Sequence, residues 1–566
     1  MDLLSVLLLL IAAWGWGELI GPVPGRELEP RFLRFVLGIV ALSHVAVLLG
    51  AFSLLRPAIV LCVIYGGAVL GILRSWRTSG QACPVPARTG RPVSIGGLVL
   101  MAIPILLALW RGLEKDRGAD PYHAFLPKAY LLAGGIRPFP GVAESTYPMG
   151  WELISAVAFC HGTGGQPALL SAFAFGLAAL GAVLCLKGEE PVGAAVAGVA
   201  VATNPLLIRT AGTSHIECGQ ALLVAGAVLA LLRFRTRGEP GAALAAAALL
   251  GLLLGTKETA GPLVVLPAMA ICVWPGRKRA APLSRGVLIG AIALLVVPSA
   301  YWTLRRTAAT GNPLYPAASD RFPTTAVFLP GAERFREIHP DADGLPLASR
   351  MARFVPSLAF DGVAEPVFGI VAALMLVSPT MRRRHGPLLS TAACAFALSP
   401  FVLGGQTRFY APAMPLYGLA AGAIASAAVP WIRERSAWAS TLAVVSILGL
   451  LSIRFPLHFL ALYDDPSDLL RLPPASYDAR ARRNLESDPL RETILEATRR
   501  AERTRRILVV STPRHLEFLS VPFIPPSHFV PDLRPALRRA GIDPVEDLGV
   551  AEVLVLGESP GTDGTP

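Results

Sequence analysis

Long apolar runs separated by short charged ones fill most of this chain. The stretches near 2–20, 35–54, 57–73, 93–110, 167–186, 192–208, 218–232, 241–255, 261–275, 286–304, 366–380, 387–404, 409–430 and 437–453 carry few charges. A helix crossing the hydrocarbon core needs roughly 20 mainly apolar residues, so the pattern predicts about 14 transmembrane helices. The run 149–161 is apolar but short, and as a span it would invert everything after it. It reads instead as a helix lying in the membrane interface, with Trp151 at headgroup level. The opening MDLLSVLLLLIAAW lacks a basic leader and a small-residue cleavage site, and reads as a retained helix. From about 454 the pattern changes. The stretch 479–506 is charged and helical in character, RILVVS (506–511) and AEVLVLG (551–557) read as buried strands, and DLRPALRRAGI (532–542) reads as a helix ending at Gly541. These elements predict a small C-terminal α/β domain outside the membrane, followed by a disordered tail, ESPGTDGTP.

Composition narrows the class. The 566 residues are 53% hydrophobic and 16% charged, against roughly 25% charged in soluble domains. Too little charge is present to cover a soluble multidomain enzyme, and too much apolar surface for a disordered chain. The chain is a polytopic membrane protein of the all-α kind, with the lipid bilayer as its first partner. Lys and Arg number 51 against 39 Asp and Glu, a net charge of +12. In a soluble protein that excess suggests nucleic acid; here it marks topology, and no nucleic-acid partner is expected. Loops holding Arg26/Arg31/Arg34, Arg74/Arg77/Arg88/Arg91, Arg233/Arg235/Arg237, Arg277/Lys278/Arg279, Arg382–Arg384 and Arg433/Arg435 are placed in the cytoplasm. Alternation then puts 111–166, 209–217, 256–260, 305–365, 405–408 and 454–566 on the opposite face. Seven Cys without a CxxC pair predict neither disulfides nor a Cys-ligated metal. The chain divides into N-terminal transmembrane helices (1–110), a first large extracytoplasmic loop with interfacial helices (111–165), a transmembrane core with outer loop 305–365 (166–453), and the C-terminal extracytoplasmic domain (454–566).

Candidate chemistry concentrates in the first outer loop, EKDRGADPYHAFLPKAYLLAGGIRPFP (114–140). A helix starting near Pro121 would leave Asp120 at its N-cap, where a carboxylate is favoured for structural reasons alone. The functional alternative has Asp120 facing a cavity at the membrane boundary as general base, with Lys128 attracting an anionic group. Tyr122 and His123 read either as substrate-binding groups or as interface anchors.

The pattern D-x-Y-H-x-x-L-P-K-x-Y-L-x-x-G-x-I resembles the first extracytoplasmic loop of bacterial GT-C glycosyltransferases, relatives of the protein O-mannosyltransferases and of the aminoarabinose transferase of lipid A. YPMGWELISAVAF (147–159), AGTSHIECGQALLVAGAVLALL (211–232), GLLLGTKETAGPLVVLP (251–267), TGNPLYP (310–316) and QTRFYAPAMPLYGLA (406–420) resemble later family segments in the same order. The resemblance runs from about 111 to 430. It implies a GT-C fold in a bacterial inner membrane, with the C-terminal domain periplasmic. The implied reaction moves a sugar, with inversion, from a polyprenyl-phosphate donor to a hydroxyl of an extracytoplasmic acceptor, whether lipid, glycan or protein.

Carried over by position, the resemblance makes Asp120 the base. Glu217 stands where the family more often has Asp; it shares the acceptor proton, positions the base, or binds a divalent cation with Asp120 and His215. Otherwise it is an acid stabilised at a helix N-terminus. No cofactor beyond that cation is implied. Lys257, Arg408 and Arg209 are implied cations for the donor phosphate, unless they snorkel. Arg305 and Arg306 join that cluster or anchor a helix end. The family's Glu-Lys-Pro-Pro run is replaced by Tyr147, Pro148, Met149 and Gly150, which removes two charges from that place. His339, Asp341 and Asp343 read as solvated turn residues. Two other readings stay open: a transporter or flippase of lipid-linked glycans, disfavoured by the large mixed-charge outer loops, and an inactive family member serving as an assembly subunit.

Overall fold

The computed structural model describes residues 2–21, 23–25, 27–79, 95–113, 121–161, 166–187, 189–275, 283–338, 366–401, 407–460, 496, 499, 507–510, 523–524 and 550–554. Asp120, the basic loops 80–94 and 276–282, the cluster His339/Asp341/Asp343, the stretch 532–542 and the tail lie outside them.

The first half holds α1 (Asp2–Ile20), α2 (Leu28–Ala51), α3 (Pro57–Ser79), α4 (Ile95–Leu113), α5 (Pro121–Ala133), the short α6 (Glu152–Phe159), α7 (Gln166–Cys185), α8 (Pro191–Ala202), α9 (Pro205–Thr210), α10 (Glu217–Arg237) and α11 (Pro240–Leu254). A π-turn at Gly261–Val265 runs into α12 (Leu266–Val273). Then come α13 (Arg285–Thr310), α14 (Leu329–Ile338), α15 (Pro366–Met375), α16 (Pro379–Leu398), a 3-10 segment at Thr407–Ala413, α17 (Met414–Arg435) and α18 (Ala437–Leu460). Among the described residues, each of the fourteen apolar stretches falls mainly on helix. One of them, 192–208, is broken at Thr203 and Asn204, because Pro205 cannot continue α8; Asn204 instead caps α9 by accepting from the Leu207 N–H at 3.0 Å. Among the described residues, eight helices are long and apolar enough to cross a membrane. The chain is a multi-pass membrane protein.

Two helices mark the extremes of packing. In α10, 89% of the spanning window is buried by protein, whereas in α13 the figure is 6%, so α10 is the axis of the bundle and α13 faces lipid. Small residues let backbones meet where lipid supplies no hydrophobic drive between helices. A Cβ on Gly38 of α2 would lie 1.6 Å from the Ala13 carbonyl oxygen of α1, and one on Gly251 of α11 would lie 1.9 Å from that of Leu294 on α13.

The basic loops that are described gather at one end of the bundle. Glu29, at the start of α2, pairs with Lys187 (3.3 Å), Arg233 (3.3 Å) and Arg237 (3.8 Å). Arg233 also reaches Glu239 at 2.8 Å, Arg384 reaches Glu189 at 2.7 Å, and Arg433 reaches Glu190 at 3.1 Å. These contacts bring together the start of α2, the α7–α8 turn, the α10–α11 turn, the start of α16 and the end of α17. The segments predicted to lie opposite them, including α5, α6 and the turn before α10, sit at the other end.

The run 149–161 departs from expectation. All eight residues of α6 are buried, and Trp151 is 3% exposed, so the helix is enclosed by protein instead of lying in the interface. The reason is local. Gly219 of α10 offers the Trp151 ring a place that a side chain would fill, since a Cβ there would sit 2.2 Å from it.

Near the C-terminus, β1 (Ile507–Val510), β2 (Phe523–Ile524) and β3 (Val550–Leu554) form a parallel sheet in the order β2-β1-β3. Leu508 pairs with Phe523, and Val509 with Val553. β1 and β3 fall on the two strands read from the sequence; β2 was not anticipated. It lies beside α5, at the end of the bundle remote from the basic loops.

Candidate active site

The helix expected near Pro121 starts at that residue. Its N-terminal turn carries His123, which is 2% exposed and hydrogen-bonded through Nδ1 to Glu152 Oε1 of α6 at 3.0 Å. Glu152 is itself 1% exposed. A buried carboxylate beside an imidazole nitrogen fixes the ring and favours the tautomer with the proton on Nδ1. The His123 ring stands edge-on to that of His215, with centroids 5.5 Å apart.

Two residues past His215 lies Glu217, the first residue of α10 and also buried. Its Oε1 lies 3.8 Å from Lys257 Nζ, while its Oε2 and the Nδ1 of His215 are buried without a hydrogen-bond partner among the described residues. Lys257 follows the end of α11 and its Nζ sits 4.4 Å from the centroid of the Phe409 ring, a cation–π contact. Phe409 belongs to the 3-10 segment Thr407–Ala413, which packs against α10.

Backbone stitching holds the two halves together. The Gly150 N–H donates to the Gly255 carbonyl at 2.8 Å, and the Trp151 N–H donates to Thr256 Oγ1 at 3.0 Å. Thr256 in turn donates to the Leu252 carbonyl at 2.8 Å, and Ser43 of α2 donates to the Gly150 carbonyl. The entry to α6 is therefore bonded to the residues just before Lys257. On the far side of Lys257, Glu258 forms an ion pair with Arg306 of α13, which also donates to the Tyr315 carbonyl at 3.4 Å. Burial drives the Tyr315 phenol well above its ordinary value, with the nearby Glu144 adding to the shift.

Of the residues expected at the site, the structure brings together His123, His215, Glu217 and Lys257. Asp120 directly precedes α5 but is not among the described residues, and neither are the side chains of Tyr122 and Arg408. The backbone of Arg408 lies next to Phe409 in the 3-10 segment. Lys128 follows His123 by five residues, roughly 140° around the helix, on a different face of α5. Arg209 lies in the last turn of α9, where its carbonyl accepts from Arg111 at 2.9 Å. Among the described residues, no three His, Cys, Asp or Glu side chains converge as a metal site. Two residues of the cluster were missed. Glu152 carries the one charge in YPMGWELISAVAF, and a charge in an apolar run is a costly feature worth flagging. Phe409 offered no signal.

The fold thus defines a many-helix membrane protein with a buried cluster of opposed charges at one end. No family model matches the chain, and no curated protein does. Among solved structures it is similar to ArnT from Cupriavidus metallidurans bound to undecaprenyl phosphate, at 13% identity and a TM-score of 0.44, over 76% of this chain and 86% of that one. It is also similar to the archaeal oligosaccharyltransferase AglB from Archaeoglobus fulgidus in complex with an inhibitory peptide and a dolichol-phosphate. That likeness has 15% identity and a TM-score of 0.41, and covers 71% of this chain and 59% of that one.

Proposed function

We propose that this protein is an inverting membrane glycosyltransferase of the GT-C type, which moves a sugar from a polyprenyl-phosphate donor to an extracytoplasmic acceptor. The observation that carries the reading is the convergence of α5, α6, the start of α10, Lys257 and the 407–413 segment on one buried cluster of acids, imidazoles and a lysine. These are the segments whose sequences carry the family resemblance. In this reading Asp120, next to the His123 turn, takes the proton of the acceptor hydroxyl as it attacks the anomeric carbon. The C1–O bond to the phosphate then breaks, and Lys257, with Arg408 beside Phe409, offsets the charge on the leaving lipid phosphate.

The missing Glu-Lys-Pro-Pro run finds a physical counterpart. Gly150 and Trp151 are bonded to Gly255 and Thr256, so Lys257 supplies a cation next to the place where the run would have put one. Glu217 acts as the counterion of Lys257 in the resting site. The fourteen apolar stretches are spans in a bacterial inner membrane, with the basic end in the cytoplasm. The C-terminal strands belong to an α/β module on the periplasmic side that helps bind the acceptor, a placement supported by β2 lying beside α5.

The test is transfer by purified protein from a panel of polyprenyl-phosphate sugars. Asp120→Asn is expected to lower transfer by roughly 10²- to 10⁴-fold. Unchanged transfer would remove Asp120 from its role, and no transfer from any donor would remove the reading.

A further inference from the structure

Lys257 lies outside helix, in the turn between α11 and the π-turn at Gly261–Val265. One flank of that turn is bonded to the entry of α6 through Gly255 and Thr256. The other flank carries Glu258, whose carboxylate meets the Arg306 guanidinium edge to edge. Oε2 accepts from Nη1 at 3.1 Å, and Oε1 accepts from Nη2. A two-point, charge-assisted contact of this kind fixes direction as well as distance.

The two partners are unequal. Only 3% of the Arg306 side chain is exposed, against 45% for Glu258, so the guanidinium is the fixed member. Its Nη1 also donates to the Tyr315 carbonyl at 3.4 Å, and the Tyr315 hydroxyl donates to the Phe328 carbonyl at 2.9 Å. The folded 312–328 segment thus sets where the Glu258 carboxylate rests.

Charge balance gives the pair its role. Glu217 lies 3.8 Å from Lys257, and those two offset each other as Glu258 and Arg306 do. Without Arg306 the three charges left sum to −1. Neighbouring residues on a helix face apart, but Lys257 and Glu258 stand in a turn, where a half-exposed carboxylate has the reach to meet the adjacent ammonium. An anion approaching Lys257 would then find a second carboxylate in its place.

We infer, resting on the proposed role of Lys257 in meeting the donor phosphate, that Arg306 is a positioning residue: it draws Glu258 aside and keeps it from competing with an anionic ligand for the ammonium.

The full chain, purified in detergent, is compared with Arg306→Met, Glu258→Gln and the double variant Arg306→Met/Glu258→Gln. Retention of undecaprenyl phosphate over undecaprenol reads phosphate binding. Arg306→Met should weaken it by about tenfold, the order expected of one uncompensated charge near the site. Glu258→Gln and the double variant should stay within about threefold of the native chain, because neither leaves a competing carboxylate. A double variant that binds no better than Arg306→Met marks a purely structural role and overturns the inference. So does a Glu258→Gln loss as large as that of Arg306→Met. Glu258→Gln, at a half-exposed position, keeps the test decisive if Arg306→Met does not fold.

A second readout needs no donor. The chain has five lysines, so isotope-labelled dimethylation gives few resonances, and the one lost in Lys257→Arg belongs to Lys257. That resonance should move in Arg306→Met and return toward its native position in the double variant. A resonance that stays in place in Arg306→Met overturns the inference, whatever the protein transfers. If it moves as expected while the native chain does not retain undecaprenyl phosphate, the positioning stands and the donor role of Lys257 falls.

Discussion

Lys257 and Glu217 show how the cluster constrains its own residues. Two unlike charges this close attract with roughly 4 kcal/mol at an effective dielectric of 20, and the loss of Lys257 removes the one ion pair shown for Glu217 among the described residues. Breaking a buried pair costs roughly 3–5 kcal/mol; because Lys257 retains some exposure, Lys257→Met should fall at the lower end. The double variant Lys257→Met/Glu217→Gln should recover most of that loss, and thermal unfolding in detergent of both singles and the double checks it. If the double is no more stable than Lys257→Met, the pair is not a stabilising unit. Glu152→Gln should lower transfer more than it lowers stability, since the amide keeps the packing of α6 but no longer fixes the His123 ring by charge. Comparing transfer rate with unfolding temperature reads that difference. At this scale the sequence was partly legible. His123, Glu217 and Lys257 stand out because polar and charged groups in an apolar chain need a reason. Their mutual distances did not, because they lie 40 to 134 residues apart along the chain and meet only through packing.

At the scale of elements, α6 is set by one glycine. Its enclosure depends on Trp151 lying flat on Gly219, so Gly219→Ala inserts a methyl group into a filled space. Overpacking of that kind costs roughly 1–3 kcal/mol, and here it pushes α6 from α10, which moves Glu152 and the His123 it holds relative to His215. A lower unfolding temperature with weaker transfer is the expected outcome; a neutral variant would show that the contact can relax freely. Apolar length was sufficient to locate every long helix, and Pro121 was sufficient to start α5. What length could not give was the setting of α6. A short apolar run with a Trp fits a lipid interface and a protein interior equally well, and only the facing glycine on a helix far along the chain decides between them. For the same reason β1 and β3 were readable as apolar runs, while the two-residue β2 was too short to show a period.

For the whole molecule, the ion pairs around Glu29 and the cluster around Lys257 lie at opposite ends, which makes sidedness testable. In a variant without native cysteines, Asp320→Cys should react with a membrane-impermeant maleimide in intact cells, and Arg384→Cys only after permeabilisation. The reverse pattern would invert the topology and put the candidate site in the cytosol. The charge distribution made the two ends legible in outline, since basic loops sort to one side. It did not show that acidic residues at helix starts neutralise those arginines, which lets the loops draw together instead of repelling.

The seam between Gly150–Trp151 and Gly255–Thr256 has a mechanical meaning. Any tilt of the α10–α11 hairpin drags the imidazole side and the ammonium side along as one piece, so the spacing between them is held by main-chain bonds as well as by side-chain packing.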